Sequence, residues 1–340
     1  MKKMKTILGI QALGAQWTME NPFLFCAHHN DRYPRANEKM GPAASLAGRN
    51  IGSDFSGLNG FSMYHGEVVP GFPAHPHRGF ETVTVVLNGV IDHFDSLGAT
   101  GRYSNGDVQW LTTGNGCQHS EMFPLLNTEA DNPIELFQIW LNLPAEGKKA
   151  TPYYNMFWGE DIPETELTDA NNHHTRVKMI AGTFNGVKSL DPAPDSWAKA
   201  QEHHVNIWLI KMEAGAQLTF PAVSETLLRN LYFYQGDAEL QIDGQHIHSP
   251  NRIKLNGNET ISILNGESES HMLLLEGEPI HEPVVQYGPF VMNTREEITQ
   301  AVDEYQKSAY GGWPWDSADV VHPRETGRFA SYADGREEKK

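Results

Sequence analysis

From Phe80 to Trp110 apolar and polar positions alternate in short runs, such as Val83-Thr84-Val85-Val86-Leu87 and Val90-Ile91. The runs end on turn residues: Asn88-Gly89, Leu97-Gly98, Asn105-Gly106 and then Gly114-Asn115-Gly116. A period of two broken by frequent turns predicts short strands closed into a sandwich or barrel, because alternate side chains of a strand meet the core. Asn and Gly both tolerate positive φ, so Asn88-Gly89 predicts a hairpin that pairs the runs on either side of it. The same texture returns from Val205 to Glu276, where Gln235-Gly236-Asp237, Asp243-Gly244, Asn256-Gly257 and Asn265-Gly266 divide apolar runs such as Ile261-Ser262-Ile263-Leu264. A second barrel is predicted there. Glu160 to Thr175 is polar and acidic, as a connection between domains should be. Beyond the second barrel, Thr294-x-x-Glu297 forms a capping-box pattern, and Ile298, Ala301, Val302 and Tyr305 recur at helical spacing. The chain therefore reads as all-β with one short C-terminal helix: a barrel over 1–165, a second over 176–290, and a helix and tail over 291–340. The tail after Gly311 is rich in Gly, Pro, Trp and charge and is expected to be partly draped, partly frayed.

Composition narrows the function classes. At 340 residues the chain suits two domains, and 39% hydrophobic residues with 31 Gly and 20 Pro suit packed cores with many turns. A formal net charge of -17 repels DNA phosphates and anionic lipid, which argues against direct nucleic-acid or membrane binding. Cys26 and Cys117 form no C-x-x-C motif and no disulfide framework, so a reducing compartment is the expectation. The lysine-bearing start, Met1 to Gly9, falls far short of a signal-peptide core or a roughly 20-residue span. The protein is expected in the cytoplasm.

The candidate chemistry lies in two short motifs. His75-Pro76-His77 puts two imidazoles on one face of an extended chain, and the same alternation would carry that face on to Glu81. Downstream, His119-Ser120-Glu121 is a second alternate pair. Folding small hairpins can bring the pairs together as three imidazoles and one carboxylate, a set that suits Fe(II), Mn(II), Ni(II), Cu(II) or Zn(II). Among 16 histidines a chance His-x-His is common, and His246-x-His248 is read as a solvated strand after a turn, which leaves the second barrel without metal. Cys117 is read as a small buried side chain, His28 and His29 as loop histidines, and Trp140, Phe157, Trp158 and Tyr234 as core aromatics.

Phe72-Pro73-Ala74-His75-Pro76-His77-Arg78-Gly79-Phe80-Glu81-Thr82 resembles the first metal motif of the pirin family. Gly106-Asp107-Val108-Gln109-Trp110, with Gly116-Cys117-Gln118-His119-Ser120-Glu121-Met122, resembles the second, and Glu278-Pro279 with Gln286 to Thr294 resembles its C-terminal segment. The likeness covers most of the chain and departs from the family in the insert from His28 to Tyr64 and in the tail after Gly311. It implies a bicupin of two antiparallel, jelly-roll β-barrels. It also implies one iron ion, as Fe(II), in the first barrel at the positions of His75, His77, His119 and Glu121. Ordinary cupins use a glutamate at the place of Glu81. The pirin-like His-x-Glu favours Glu121 instead and leaves Glu81 a position behind the ligands or in strand packing. Arg78 is a further candidate beside the metal, with pairing to a local carboxylate as its plainer role.

The resemblance further implies quercetin 2,3-dioxygenase-type chemistry. A flavonol would bind the metal through its 3-hydroxyl and carbonyl, Glu121 would take the hydroxyl proton, and O2 would open the central ring with release of carbon monoxide. The alternative that the family suggests is a non-enzymatic, metal-dependent regulatory protein that binds a transcriptional or metabolic protein partner.

Overall fold

The computed structural model describes residues 5–237 and 239–340; Lys2 and Lys3 of the basic start lie outside the described residues. The chain forms two compact units, Ala27–Gly159 with Glu282–Lys340, and Met1–Cys26 with Glu160–His281. Each is built on a pair of larger antiparallel sheets, the jelly-roll arrangement of a bicupin, with one two-stranded sheet besides.

In the unit that carries the candidate ligands, one sheet has five strands in the order Tyr153–Phe157, Val108–Thr112, Phe80–Asn88, Asn132–Asn142 and Phe23–Tyr33. The other has six: Glu337–Lys339, Phe329–Ser331, Thr100–Ser104, Val90–Asp95, Cys117–Met122 and Gly71–His77. Phe80–Asn88 is buried along nearly its whole length, as a strand covered on both faces must be. Its Val86 joins a core with Met63, Tyr103, Leu111 and Tyr154.

Asn88-Gly89 does not close a hairpin. Gly89 does adopt φ +94°, but Phe80–Asn88 and Val90–Asp95 belong to different sheets, so this turn is a jelly-roll corner. The reason is packing: a Cβ at Gly89 would lie 2.8 Å from the Ile134 side chain, and the bend is held by Gly89 N–H donating to Asn105 Oδ1 at 2.9 Å. The true hairpin follows at Leu97-Gly98, where Val90–Asp95 pairs in antiparallel register with Thr100–Ser104.

The second unit has a seven-stranded sheet running from Ile7–Ala12 to Glu164–Thr168 and a four-stranded sheet that includes Glu239–Ile242 and Gln245–His248. Between them lies a core of residues such as Trp208, Phe220, Phe233, Leu240 and Ile253. Here Asp243-Gly244 does close a hairpin, with Glu239 opposite His248. The opening strand Ile7–Ala12 pairs with Asn251–Asn256, so the start of the chain completes the sheet of the later unit.

The helix Arg295–Ser308 forms with its capping box intact: Thr294 Oγ1 accepts from Glu297 N, and the Glu297 carboxylate accepts from Thr294 N. Ile298 and Ala301 are buried, and Val302 and Tyr305 pack against them. Past the helix the tail is draped but not frayed. Phe329–Ser331 and Glu337–Lys339 extend the six-stranded sheet through Thr100–Ser104, and Lys340 N–H still donates to the Arg328 carbonyl at 3.0 Å. Buried Arg102 anchors it by donating to the carbonyls of Pro323 and Thr326, both at 2.9 Å, and these bonds outweigh the disordering tendency of the composition.

Candidate metal centre

Gly71–His77 and Cys117–Met122 pair antiparallel with His75 opposite His119. Alternation then places His77 beside them, and one ring nitrogen from each of the three lies within 4.8 Å of the others. The ring centroids are 4.6 Å apart for His75 and His119, 4.7 Å for His75 and His77, and 5.0 Å for His77 and His119. The Pro73 carbonyl accepts from His75 Nδ1 at 2.8 Å, which fixes the tautomer and leaves the Nε2 lone pair free. His77 and His119 are buried, and Nδ1 of His77 and both ring nitrogens of His119 have no hydrogen-bond partner. Burial holds all three imidazoles in the neutral, metal-binding form, with His75 pulled down to about 4 and His77 and His119 well below the ordinary histidine value.

Glu121 follows His119 on the same face of its strand, but its carboxylate stands outside the close group formed by the three ring nitrogens. Its Oε1 accepts from Thr84 Oγ1 at 2.6 Å and Tyr103 OH at 3.1 Å, and its Oε2 accepts from Gln138 Nε2 at 2.6 Å. Burial pushes this carboxyl above its usual range, with the three hydrogen bonds working in the opposite direction. A divalent metal fits this donor set on two counts. Orphaned imidazole nitrogens want an electron-pair acceptor, and a buried carboxylate held only by neutral donors wants a cation.

Residues 9–141 match the pirin family, and 207–311 match the pirin C-terminal cupin domain. Pirin-1 of Arabidopsis thaliana is 37% identical over 71% of this chain and 78% of its own length. The chain belongs to the pirin family. Human pirin is 33% identical over 74% of this chain and 81% of its own. Among solved structures, a quercetin 2,3-dioxygenase from Acinetobacter baumannii superposes with a TM-score of 0.70 at 26% identity, covering 91% of this chain and 99% of that one.

Within this pirin framework Glu81 lies apart from the three histidines. The alternation that would align it with His77 is interrupted at Gly79, whose φ of +89° turns the chain into the facing sheet; a Cβ there would lie 1.9 Å from the Val291 carbonyl oxygen. Fully buried, Glu81 accepts from Trp110 Nε1 at 3.0 Å and Thr112 Oγ1 at 2.7 Å. Arg78 is turned to the helix, where it pairs with Glu304 and donates to Asn115 Oδ1 at 2.8 Å. Cys117 is a buried free thiol, raised by burial. Phe157 and Trp158 are buried, whereas Trp140 is half-buried with its ring 5.4 Å from that of His77, beside the centre rather than in the core.

Sequence reasoning missed the polar belt behind the ligands. Thr84 lies directly opposite Gln109 on one neighbouring strand and Gln138 on the other. Gln109 Nε2 in turn lies 2.8 Å from Nδ1 of the buried His93, and its Oε1 lies 3.1 Å from Thr84 Oγ1. The available signal was a run of polar residues at inward positions of otherwise apolar strands, which is costly unless they are mutually satisfied. On the hairpin of the other unit, Glu239 lies 2.8 Å from both His246 and His248, a surface contact among exposed side chains. Among the described residues no helix is long and apolar enough to cross a membrane.

Proposed function

We propose that this pirin is a metal-dependent dioxygenase of the quercetin 2,3-dioxygenase type, acting on a flavonol with O2 in the cytoplasm. Iron, as Fe(II), is its working metal, held by His75, His77, His119 and Glu121. The observation that carries this reading is the triad of converging imidazoles; Glu121 joins it as the proposed fourth ligand because it follows His119 by two residues on the same strand. The likeness to a quercetin 2,3-dioxygenase over nearly the whole chain supports it. A bound metal would supply a Lewis-acidic, redox-active centre that draws the 3-hydroxyl and carbonyl oxygens of a flavonol together.

The chain's own residues do the rest. The neutral imidazoles hold the ion and stay unprotonated near neutral pH. Glu121 takes the 3-hydroxyl proton, as a positioned carboxylate base can, and returns it to the ring-opened product. Thr84, Tyr103 and Gln138 keep its two oxygens aimed and return the carboxylate to its starting orientation. With both atoms of O2 taken up, the central ring opens and one carbon leaves as carbon monoxide.

The test is anaerobic loading with Fe(II), then aerobic incubation with quercetin. Loss of flavonol absorbance together with carbon monoxide release is the expected result. A loaded protein that consumes neither quercetin nor O2 would overturn the catalytic reading. Parallel loading with Mn(II), Ni(II), Cu(II) and Zn(II) tests the preference for iron.

A further inference from the structure

The insert between Phe23–Tyr33 and Gly71–His77 ends in a group of aromatic rings beside the metal centre. Phe72 lies with its ring centroid 6.4 Å from that of His75 and stacks on Tyr64 at 5.1 Å. Phe55 stands 5.4 Å from Tyr64, 5.2 Å from His65 and 6.5 Å from Phe72, and His65 is 5.8 Å from Phe72. The rings therefore run without a break from an exposed residue to a ligand. Phe55 is 57% exposed, whereas His77 and His119 are closed off at 4% and 0%. His75 is the half-buried member of the triad, so the triad's exposed side is also the side where the rings gather.

Phe55 leaves more than half of its surface in water despite these contacts, and binding residues are disproportionately carried on loops held by a rigid scaffold. The loop here is rigid. Arg49 and Asp54 form an ion pair at 2.7 Å with side chains 0% and 1% exposed, and the guanidinium lies 3.8 Å over the Phe61 ring. Asp54 also accepts from Ser56 N at 3.1 Å and Met63 N at 2.9 Å, which pins the backbone on both sides of Phe55. A ring held in place in advance loses little entropy when a partner stacks on it.

We propose that Phe55, His65 and Phe72 form a stacking wall that receives an outer ring of a planar aromatic chelator while its oxygen pair reaches the three-histidine centre. This rests on the reading of the centre as a metal site for a chelating substrate, and it assigns to the insert the choice of flat, aromatic substrates over small aliphatic ones. His65 contributes an edge to Phe72 and Phe55 and closes the wall on the solvent side.

The experiment uses full-length protein loaded with Zn(II), which binds chelators without oxidising them. Binding of 3-hydroxyflavone and of acetohydroxamate is titrated for the wild type and for Phe55→Ala, with Phe72→Leu as a second variant and metal content measured throughout. The wall predicts that Phe55→Ala weakens 3-hydroxyflavone by about three- to tenfold, the usual worth of an aromatic pair, and leaves acetohydroxamate and metal content unchanged. Equal affinity of 3-hydroxyflavone for wild type and Phe55→Ala overturns the wall, as does equal loss of both chelators. Acetohydroxamate binding without any 3-hydroxyflavone binding overturns both the wall and the flavonol reading, and leaves the metal site standing. If neither chelator binds a protein that holds its metal, both the wall and the substrate reading of the centre fail. Binding without later turnover on iron contradicts the dioxygenase reading and leaves the wall standing.

Discussion

Tyr103 and Glu121 meet at 3.1 Å inside the unit that carries the three histidines, the phenol donating to the same carboxylate oxygen that Thr84 reaches at 2.6 Å. Both side chains are buried, so the bond is shielded from water and orients a carboxylate that would otherwise rotate. Removing the hydroxyl with Tyr103→Phe is expected to cost about 1 kcal/mol of stability and to weaken metal binding by about 10- to 100-fold, the usual effect of losing a group that orients a ligand. Chemical denaturation and competition against a chelator of known affinity read the two effects. Unchanged metal affinity would show that Glu121 holds its position without help.

Arg102 and Asp92 form a buried pair, with Nε to Oδ1 at 2.7 Å and Nη2 to Oδ2 at 2.8 Å, and Arg102 also binds the carbonyls of the tail. Arg102→Met leaves Asp92 charged and unpaired in the interior. A loss of about 3–5 kcal/mol is expected for such a break. Limited proteolysis should then cut within residues 313–340 at protease levels that leave the wild type intact; an uncut tail would contradict its anchoring role.

Much of this molecule is legible in its sequence. The capping box Thr294-x-x-Glu297, the existence of two β units, and the shared face of His75 and His77 follow from local spacing, because each depends on a period of 2 or 3.6 that the chain itself sets; His119 joins them through pairing of its strand with theirs. Pairing is less legible. Asp243-Gly244 and Asn88-Gly89 carry the same turn chemistry, yet one closes a hairpin and the other carries the chain to the facing sheet, a choice made by what packs around Gly89. Glu81 was aligned with His77 by alternation alone, and one glycine with positive φ ended that alternation. Thr84, Gln109 and Gln138 come together only through cross-strand register between distant segments, which no local reading supplies. The tail shows the same limit, since its order comes from Arg102, far away in sequence.

His29 gives the metal-free protein a pH dependence. Burial, with His28 adding to it, lowers His29 to about 4, against roughly 6.5 in an unfolded chain. Between those values the unfolded state binds a proton that the folded state does not, so stability rises with pH across the window. Its contribution is complete above about 6.5 and is lost as pH falls toward 4. Urea unfolding of the metal-free protein at a series of pH values should show a shallower slope in His29→Gln than in wild type between these limits. Identical slopes would mean that His29 titrates normally in the folded state.

The histidine triad is the claim on which the rest depends, and the metal content of His119→Ala beside wild type tests it most directly. After anaerobic loading with Fe(II) and removal of loose metal, the account predicts one ion per chain in wild type and almost none in His119→Ala, with the circular dichroism of the β units preserved. A folded His119→Ala that retains as much metal as wild type would contradict it.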